Sequence, residues 1–155
     1  MRISRFFVCS ALLLLLCFAL SAQEQAGHPN FTGIWKLDAD RSALDSHPDS
    51  VTLYIHQNDP DFHLRRTEVQ HGKSSAWGFH GRTDGKLLEQ RNRDGVKRTQ
   101  MYWQGPQLVL ELRTNDKHGE QQFTVRYSLS DGGKTLTAHE MHADHETRWV
   151  FTRSG

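Results

Sequence analysis

Histidine is the residue type that could supply chemistry most directly in this chain. The sequence contains 10 histidines, and the densest group is His139, His142 and His145, spaced three apart. On a helix this spacing would place the imidazoles on one face, where they could bind zinc or copper together. On a strand the side chains alternate, so His139 and His142 face opposite sides. Only a sharp turn at 143–144 would bring His142 and His145 together, and we assign no metal ligand here.

Nucleophilic catalysis has little support in the sequence. Serine, histidine and aspartate all occur, but no spacing picks out a triad, and no Gly-x-Ser-x-Gly motif or phosphate-binding glycine loop is present. Both cysteines, Cys9 and Cys17, lie in an N-terminal apolar segment, so the rest of the chain has no thiol nucleophile and no disulfide. The sequence predicts no catalytic residue and no cofactor, which favours a non-enzymatic protein. In an enzyme acting on a lipophilic substrate, His139, His142 and Glu140 would be the first suspects.

Aromatic side chains in the middle of the chain are candidates for binding a ligand. A barrel of roughly eight strands is just wide enough to be filled by its own side chains or to hold one small ligand. Because neighbouring strand residues face opposite sides, at most one of Tyr102 and Trp103 lines an interior. Arg98 shares a face with Tyr102, and a polar group turned inward could orient a ligand head group. Ordinary core packing is the alternative. The predicted ligand-binding residues are Trp77, Phe79, Arg98, Tyr102 and Tyr127.

The first 22 residues have the order of a secretory signal peptide. Two arginines precede an apolar stretch at 6–20, and the small residues Ser21 and Ala22 follow it. The stretch is shorter than the roughly 20 residues that span a bilayer. Cys17 follows a leucine, whereas lipid attachment normally requires a small residue there. We therefore expect a cleaved signal at 1–22, a periplasmic or secreted protein, and no stable membrane insertion after cleavage.

The chain after residue 22 is almost neutral. Removing the two signal arginines leaves 17 basic residues (19 − 2) against 18 acidic ones, a formal charge of −1. This chain lacks the excess of positive charge that is typical of a nucleic-acid binder, so we predict no nucleic-acid partner. The sequence does not indicate a particular protein partner. Asn30 begins an N-glycosylation sequon, which matters only in a host that glycosylates exported proteins.

Turn signals divide residues 31–155 into nine or ten short strand-like runs after a polar lead at 23–30. Leu108, Leu110 and Leu112 alternate with polar neighbours, and a second run alternates through Val125 and Tyr127. Runs joined by tight turns must pair as antiparallel neighbours. Residues 38–50 look irregular. The pattern predicts an all-β single domain at 31–155, an antiparallel up-and-down β-barrel of about 8–10 strands, with an open β-sandwich as the alternative. Because closure removes aggregation-prone edges, we expect a sheet without a free border.

The two ends of this region resemble a known family. Residues 30–37 contain Gly33-Ile34-Trp35, and residues 149–153 end in Arg153. They resemble lipocalins and the wider calycin group, whose first strand begins with Gly-x-Trp and whose last barrel strand ends in an arginine that covers the tryptophan. The turn at 38–42 is similar to that of bacterial secreted lipocalin-like proteins. The resemblance implies that Gly33, Trp35 and Arg153 close the barrel, with about 0.5–2 kcal/mol of cation–π attraction between guanidinium and indole.

The resemblance also has departures. No helix follows the last strand, and the Arg-x-Tyr carboxylate clamp of fatty-acid-binding relatives is incomplete, because Val150 stands two residues after Arg148. The family implies an exported barrel that binds a small apolar or amphipathic ligand. One alternative is an interaction module with a filled barrel, which a structure without a cavity above about 300 Å³ would favour. The other is a calycin-fold enzyme.

Overall fold

The protein forms ten β-strands in one antiparallel sheet. The computed structural model describes residues 27–93, 95–116 and 119–154. The predicted signal segment 1–22 and residues 23–26 of the lead lie outside the described residues. Within the described part, no helix is long and apolar enough to cross a membrane. The strands are β1 (Gly33–Leu37), β2 (Ser50–Asn58), β3 (Asp61–Gln70), β4 (Lys73–Arg82), β5 (Leu88–Asn92), β6 (Gly95–Gln104), β7 (Gln107–Asp116), β8 (Gly119–Ser130), β9 (Thr135–Met141) and β10 (Glu146–Arg153).

The strand order joins the beginning of the sheet to its end. The order is β4-β3-β2-β1-β10-β9-β8-β7-β6-β5, so every consecutive pair except β4 and β5 is a hydrogen-bonded neighbour. β1 pairs with β10, and Trp35 lies opposite Arg153 in that ladder. Tight turns connect most neighbours, which is why the pairing is antiparallel throughout. The predicted up-and-down barrel of about 8–10 strands is confirmed.

The expectation of a sheet without a free border is wrong. In the described part of the chain, β4 and β5 are the two ends of the strand order, with no ladder between them. β5 is short and pairs only with Gly95–Thr99 of β6. The segment between β4 and β5 does not form a tight hairpin. It contacts β6 instead, where the Gly85 N–H donates to the Met101 carbonyl at 2.9 Å. Closure therefore occurs by side-chain packing of β4 against β6, where Gly81 leaves room for the Phe79 ring.

Alternation along each strand separates the interior from the outer face. On β2, Val51, Leu53 and Ile55 are buried, whereas Tyr54 and His56 are exposed. This is the period of two that the sequence predicts for a half-buried strand. Residues 38–49, which the sequence left irregular, contain no regular strand; Ala43 makes an isolated bridge to Arg148.

Arg153 ties the two ends of the described chain together. Its Cζ lies 4.2 Å from the centroid of the Trp35 ring. Its Nη1 donates to the Thr32 carbonyl at 2.6 Å and its Nε to the Gly133 carbonyl at 2.9 Å. Trp35 is fully buried, and its indole N–H donates to the Phe31 carbonyl at 2.9 Å. One guanidinium thus contacts the residue that precedes β1, the turn between β8 and β9, and the buried indole of β1.

Gly33 is required by this arrangement. Its φ is 153°, and a Cβ at this position would lie 2.6 Å from Arg153 Nη1. A larger residue would push the guanidinium away from the Thr32 carbonyl. The Gly-x-Trp spacing therefore provides the space and the ring for the arginine.

Candidate functional site

The interior of the barrel contains a cavity of about 370 Å³. It is walled by β3, β4 and β6 to β10, away from the Trp35 end. Its apolar lining consists of inward-facing residues of the alternating strands, supplemented by aromatic rings. These residues are Leu64, Leu110, Leu112, Phe123, Val125 and Trp149.

Three of the five residues predicted to bind a ligand line this cavity. They are Trp77, Phe79 and Tyr127. Trp77 is 52% exposed, which places it at the rim, and Tyr127 is only 6% exposed. Burial raises the pKa of the Tyr127 phenol, so its hydroxyl is neutral and can donate or accept a hydrogen bond.

The structure does not bring the other two predicted residues, Arg98 and Tyr102, into the cavity. Both lie on the outer face of β6, because Met101, which alternates with them, is buried in the core. The Tyr102 hydroxyl donates to Glu111 Oε1 at 2.8 Å, and Arg98 Nε donates to Glu89 Oε2 at 2.9 Å. Their assignment as cavity residues is corrected.

These outer-face contacts shift the pKa values of Tyr102 and Glu89. The hydrogen bond to Glu111 raises the pKa of the Tyr102 phenol. Hydrogen bonds from Arg98 and Arg91 hold the pKa of Glu89 below its usual value. Neither contact involves a residue that lines the cavity.

Four polar side chains also line the cavity: Arg66, Lys97, Glu140 and His142. Arg66 Nη2 lies 2.8 Å from Glu68 Oε2, and its Cζ lies 4.1 Å from the centroid of the Trp149 ring. Glu140 accepts a hydrogen bond from the Thr147 hydroxyl at 3.2 Å. Among the residues the structure describes, the Lys97 ammonium has no ion pair.

Trp149 carries an unsatisfied donor in the wall of this cavity. Its Nε1 is buried, and it is the one buried side-chain polar atom of the described chain without a hydrogen-bond partner. An orphaned buried donor costs about 1–3 kcal/mol. Neighbouring atoms cover Nε1 in this structure, so an acceptor atom of a bound molecule would satisfy it only after those side chains move, beside the Arg66 guanidinium that covers the same ring.

The histidines at the last hairpin separate as strand alternation requires. His139 is exposed and contacts Glu146 at 3.2 Å. The turn at 143–144 does bring His142 and His145 together, with ring centroids 4.4 Å apart. His142 also stacks on Phe123 at 5.4 Å and lines the cavity. Of the three first suspects for catalysis, Glu140 and His142 face the cavity and His139 does not.

Sequence reasoning missed Arg66, Lys97 and Trp149 as cavity residues. Arg66 has the same parity as the buried Leu64, two residues earlier on β3, so alternation was the available signal. In the sequence, Trp149 stands out only as part of the terminal motif that ends in Arg153. Arg148 is the arginine of the incomplete carboxylate clamp. It is exposed, because it precedes the buried Trp149 on β10 and faces the opposite side of the sheet.

The comparisons with known proteins identify the fold. Neither a protein-family profile nor a curated protein matches the sequence. Human cRBP IV matches with a TM-score of 0.57 and 15% sequence identity, covering 81% of this chain and 99% of that chain. Apo lipid binding protein 8 of Caenorhabditis elegans matches with a TM-score of 0.58 and 13% identity, covering 80% and 95%. Fatty-acid-binding protein 1 of Echinococcus granulosus matches with a TM-score of 0.53 and 12% identity, covering 81% and 98%. At these identities the likeness shows the fold alone, which is an antiparallel up-and-down β-barrel.

Proposed function

We propose that this barrel binds one small amphipathic molecule in its interior, with an apolar body and a single acceptor group. The observation that carries the proposal is the unsatisfied Trp149 Nε1 beside a cavity lined mainly by apolar side chains. No step of catalysis is included, because binding alone explains the arrangement.

The cavity suits the apolar part of such a ligand. Its volume of about 370 Å³ lies within the roughly 300–1,000 Å³ of small-molecule sites, which are lined mainly by hydrophobic and aromatic side chains. Leu110, Val125 and Trp149 supply that lining at the base, and Trp77 and Phe123 supply it nearer the rim. A filled barrel would not leave this space, so the cavity favours a binding protein over an interaction module.

The polar part is argued from Trp149 and its neighbours. A carboxylate or carbonyl oxygen within reach of Nε1 would accept the orphaned hydrogen bond and lie beside the Arg66 guanidinium. Glu68 already pairs with Arg66, which orients the guanidinium and offsets part of its charge. Lys97 adds a cation without an ion pair among the described residues. The structural likeness to a lipid binding protein and a fatty-acid-binding protein supports a ligand of this class.

Titration with the fluorescent fatty acid cis-parinaric acid tests this proposal. We expect saturable binding at one site per chain and competition by an unlabelled fatty acid. Trp149→Phe removes the donor and keeps an aromatic ring under Arg66. It should weaken acid binding by about tenfold, the effect of one hydrogen bond of about 1.4 kcal/mol.

Trp77→Phe is the matched control, because Trp77 also lines the cavity but has no orphaned donor. It should weaken binding less than Trp149→Phe does. Equal losses in the two variants would contradict the role of Nε1. Absence of any saturable fluorescence change would contradict the proposed ligand class.

We further propose that the protein is exported after cleavage following residue 22. The order of charged, apolar and small residues at 1–22 supports this. Intact-mass spectrometry of the protein from the periplasm or culture medium of its host should show a chain that begins at Gln23. A mass that retains Met1, or a protein found only in the cytoplasm, would refute export.

A further inference from the structure

Three histidines form a row across the outer face of three neighbouring strands. His56 of β2 lies directly opposite His63 of β3, and His63 lies directly opposite His80 of β4. All three side chains are exposed. The row is distant in sequence from the histidines of the last hairpin, and the proposed ligand cavity does not use it.

The rings of this row are already close together. The His63 and His80 centroids lie 4.0 Å apart with planes 10° from parallel, and the His56 and His63 centroids lie 6.4 Å apart. Asp61, two residues before His63 on the same face, places Oδ1 3.9 Å from His80 Nε2. The same carboxylate also contacts Arg82 at 3.3 Å, so Asp61 of β3 faces two residues of β4.

The surface beside the rings is concave. A depression of about 620 Å³ lies on this outer face, with His56, His63 and His80 among its lining residues. It forms where Gly78 of β4, which carries no side chain, faces Arg65 across the ladder. The imidazoles therefore have open space in which to rotate, and water molecules have space to complete the coordination of an ion.

We propose that His63 and His80 bind a divalent transition-metal ion between them, with His56 and Asp61 as adjacent donors. Imidazole nitrogen suits copper, nickel and zinc, and divalent copper binds such donors most tightly. Two nitrogens at about 2.0–2.1 Å from one ion lie no more than about 4 Å apart. The ring centroids of His63 and His80 lie 4.0 Å apart, so rotation of the two rings can bring one nitrogen of each within that distance.

Binding requires a change of side-chain rotamers. In the described ranges, no three histidine, cysteine, aspartate or glutamate side chains are placed to hold a metal ion as they stand. Stacked rings direct their nitrogen lone pairs side by side, so each ring must turn toward the shared ion. Both side chains are exposed, and turning them disturbs no core packing.

The pair at the last hairpin is the competing site. His142 and His145 also stack, but His142 is held against Phe123, and His145 Nδ1 is hydrogen-bonded to Asp144 Oδ1 at 2.7 Å. The stacking of His142 on Phe123 would have to break before both rings could bind one ion. The geometry therefore favours His63 and His80.

Titration of the purified protein with copper(II) chloride, followed by amide NMR, tests the proposal. Paramagnetic copper broadens the signals of nuclei near it, so signals around His63 and His80 should disappear first, at less than one equivalent. The double variant His63→Gln, His80→Gln should lose this broadening while its other signals stay unchanged. The double variant His142→Gln, His145→Gln should retain it.

First broadening around residues 142–145, or no localised broadening at all, would overturn the proposal. A calorimetric titration with zinc chloride provides a second readout, in which the His63 and His80 double variant should lose the saturable heat. The affinity for cis-parinaric acid should be the same in the His63→Gln, His80→Gln variant as in the parent. Loss of the metal site can therefore be distinguished from loss of the ligand cavity.

Discussion

Trp35→Ala should lower the free energy of unfolding by about 3–5 kcal/mol, the usual cost of truncating a large buried aromatic residue. The indole is fully buried, is covered by the Arg153 guanidinium and donates to the Phe31 carbonyl. Its removal leaves a cavity at the point where β1 pairs with β10, and the guanidinium loses its aromatic partner. Urea denaturation followed by tryptophan fluorescence and circular dichroism measures the change, and the melting temperature should fall by roughly 10 °C or more.

Ile34→Ala is the matched control for this prediction. Ile34 is the neighbour of Trp35 on β1, but it is 41% exposed on the outer face. Its truncation should change stability by no more than about 0.5 kcal/mol, as is usual for surface substitutions. If Trp35→Ala has the melting temperature of the parent, or if both variants lose the same free energy of unfolding, then the contact between Trp35 and Arg153 does not close the barrel.

Leu112→Trp should abolish binding of cis-parinaric acid. Leu112 lines the cavity and lies opposite Phe123 on the neighbouring strand. An indole at this position occupies the space that the ligand requires. Overpacking of this kind costs about 1–3 kcal/mol, so circular dichroism should show that the variant is still folded.

Tyr102→Trp provides the control, since it places the same indole on the outer face of the barrel. Tyr102 contacts Glu111 there and lines no part of the cavity. This variant should bind the probe with the affinity of the parent. Full binding by Leu112→Trp would show that the probe binds outside the barrel, for example in the concavity beside His63.

Local sequence signals predict most of the fold correctly. Turn residues divide the chain into runs that agree closely with the ten strands. Short turns between these runs leave antiparallel pairing as the only arrangement for the strands that they connect. The alternation of Val51, Leu53 and Ile55 correctly places β2 with one face in the core. These signals are local, and they do not depend on which distant strand completes the sheet.

The candidate site is predicted only in part. Trp77, Phe79 and Tyr127 lie at the cavity, but Arg98 and Tyr102 lie outside it. Alternation in β6 correctly implies that Tyr102 and its neighbour Trp103 face opposite sides. It does not indicate which side is interior, because each face of that strand carries one aromatic ring, one other apolar side chain and two or three polar side chains.

The sequence by itself determined the all-β class and a count of about 8–10 strands, since both depend on residue type and short-range spacing. The resemblance at the two ends of the domain implied the contact between Trp35 and Arg153. Tertiary structure alone decided the sidedness of β6, the gap between β4 and β5, and the meeting of Arg66 with Trp149. It also decided the row formed by His56, His63 and His80. The physical reason is that these features depend on the register between strands and on the volume packed inside the barrel, and neither quantity is encoded in the spacing of residues along one strand.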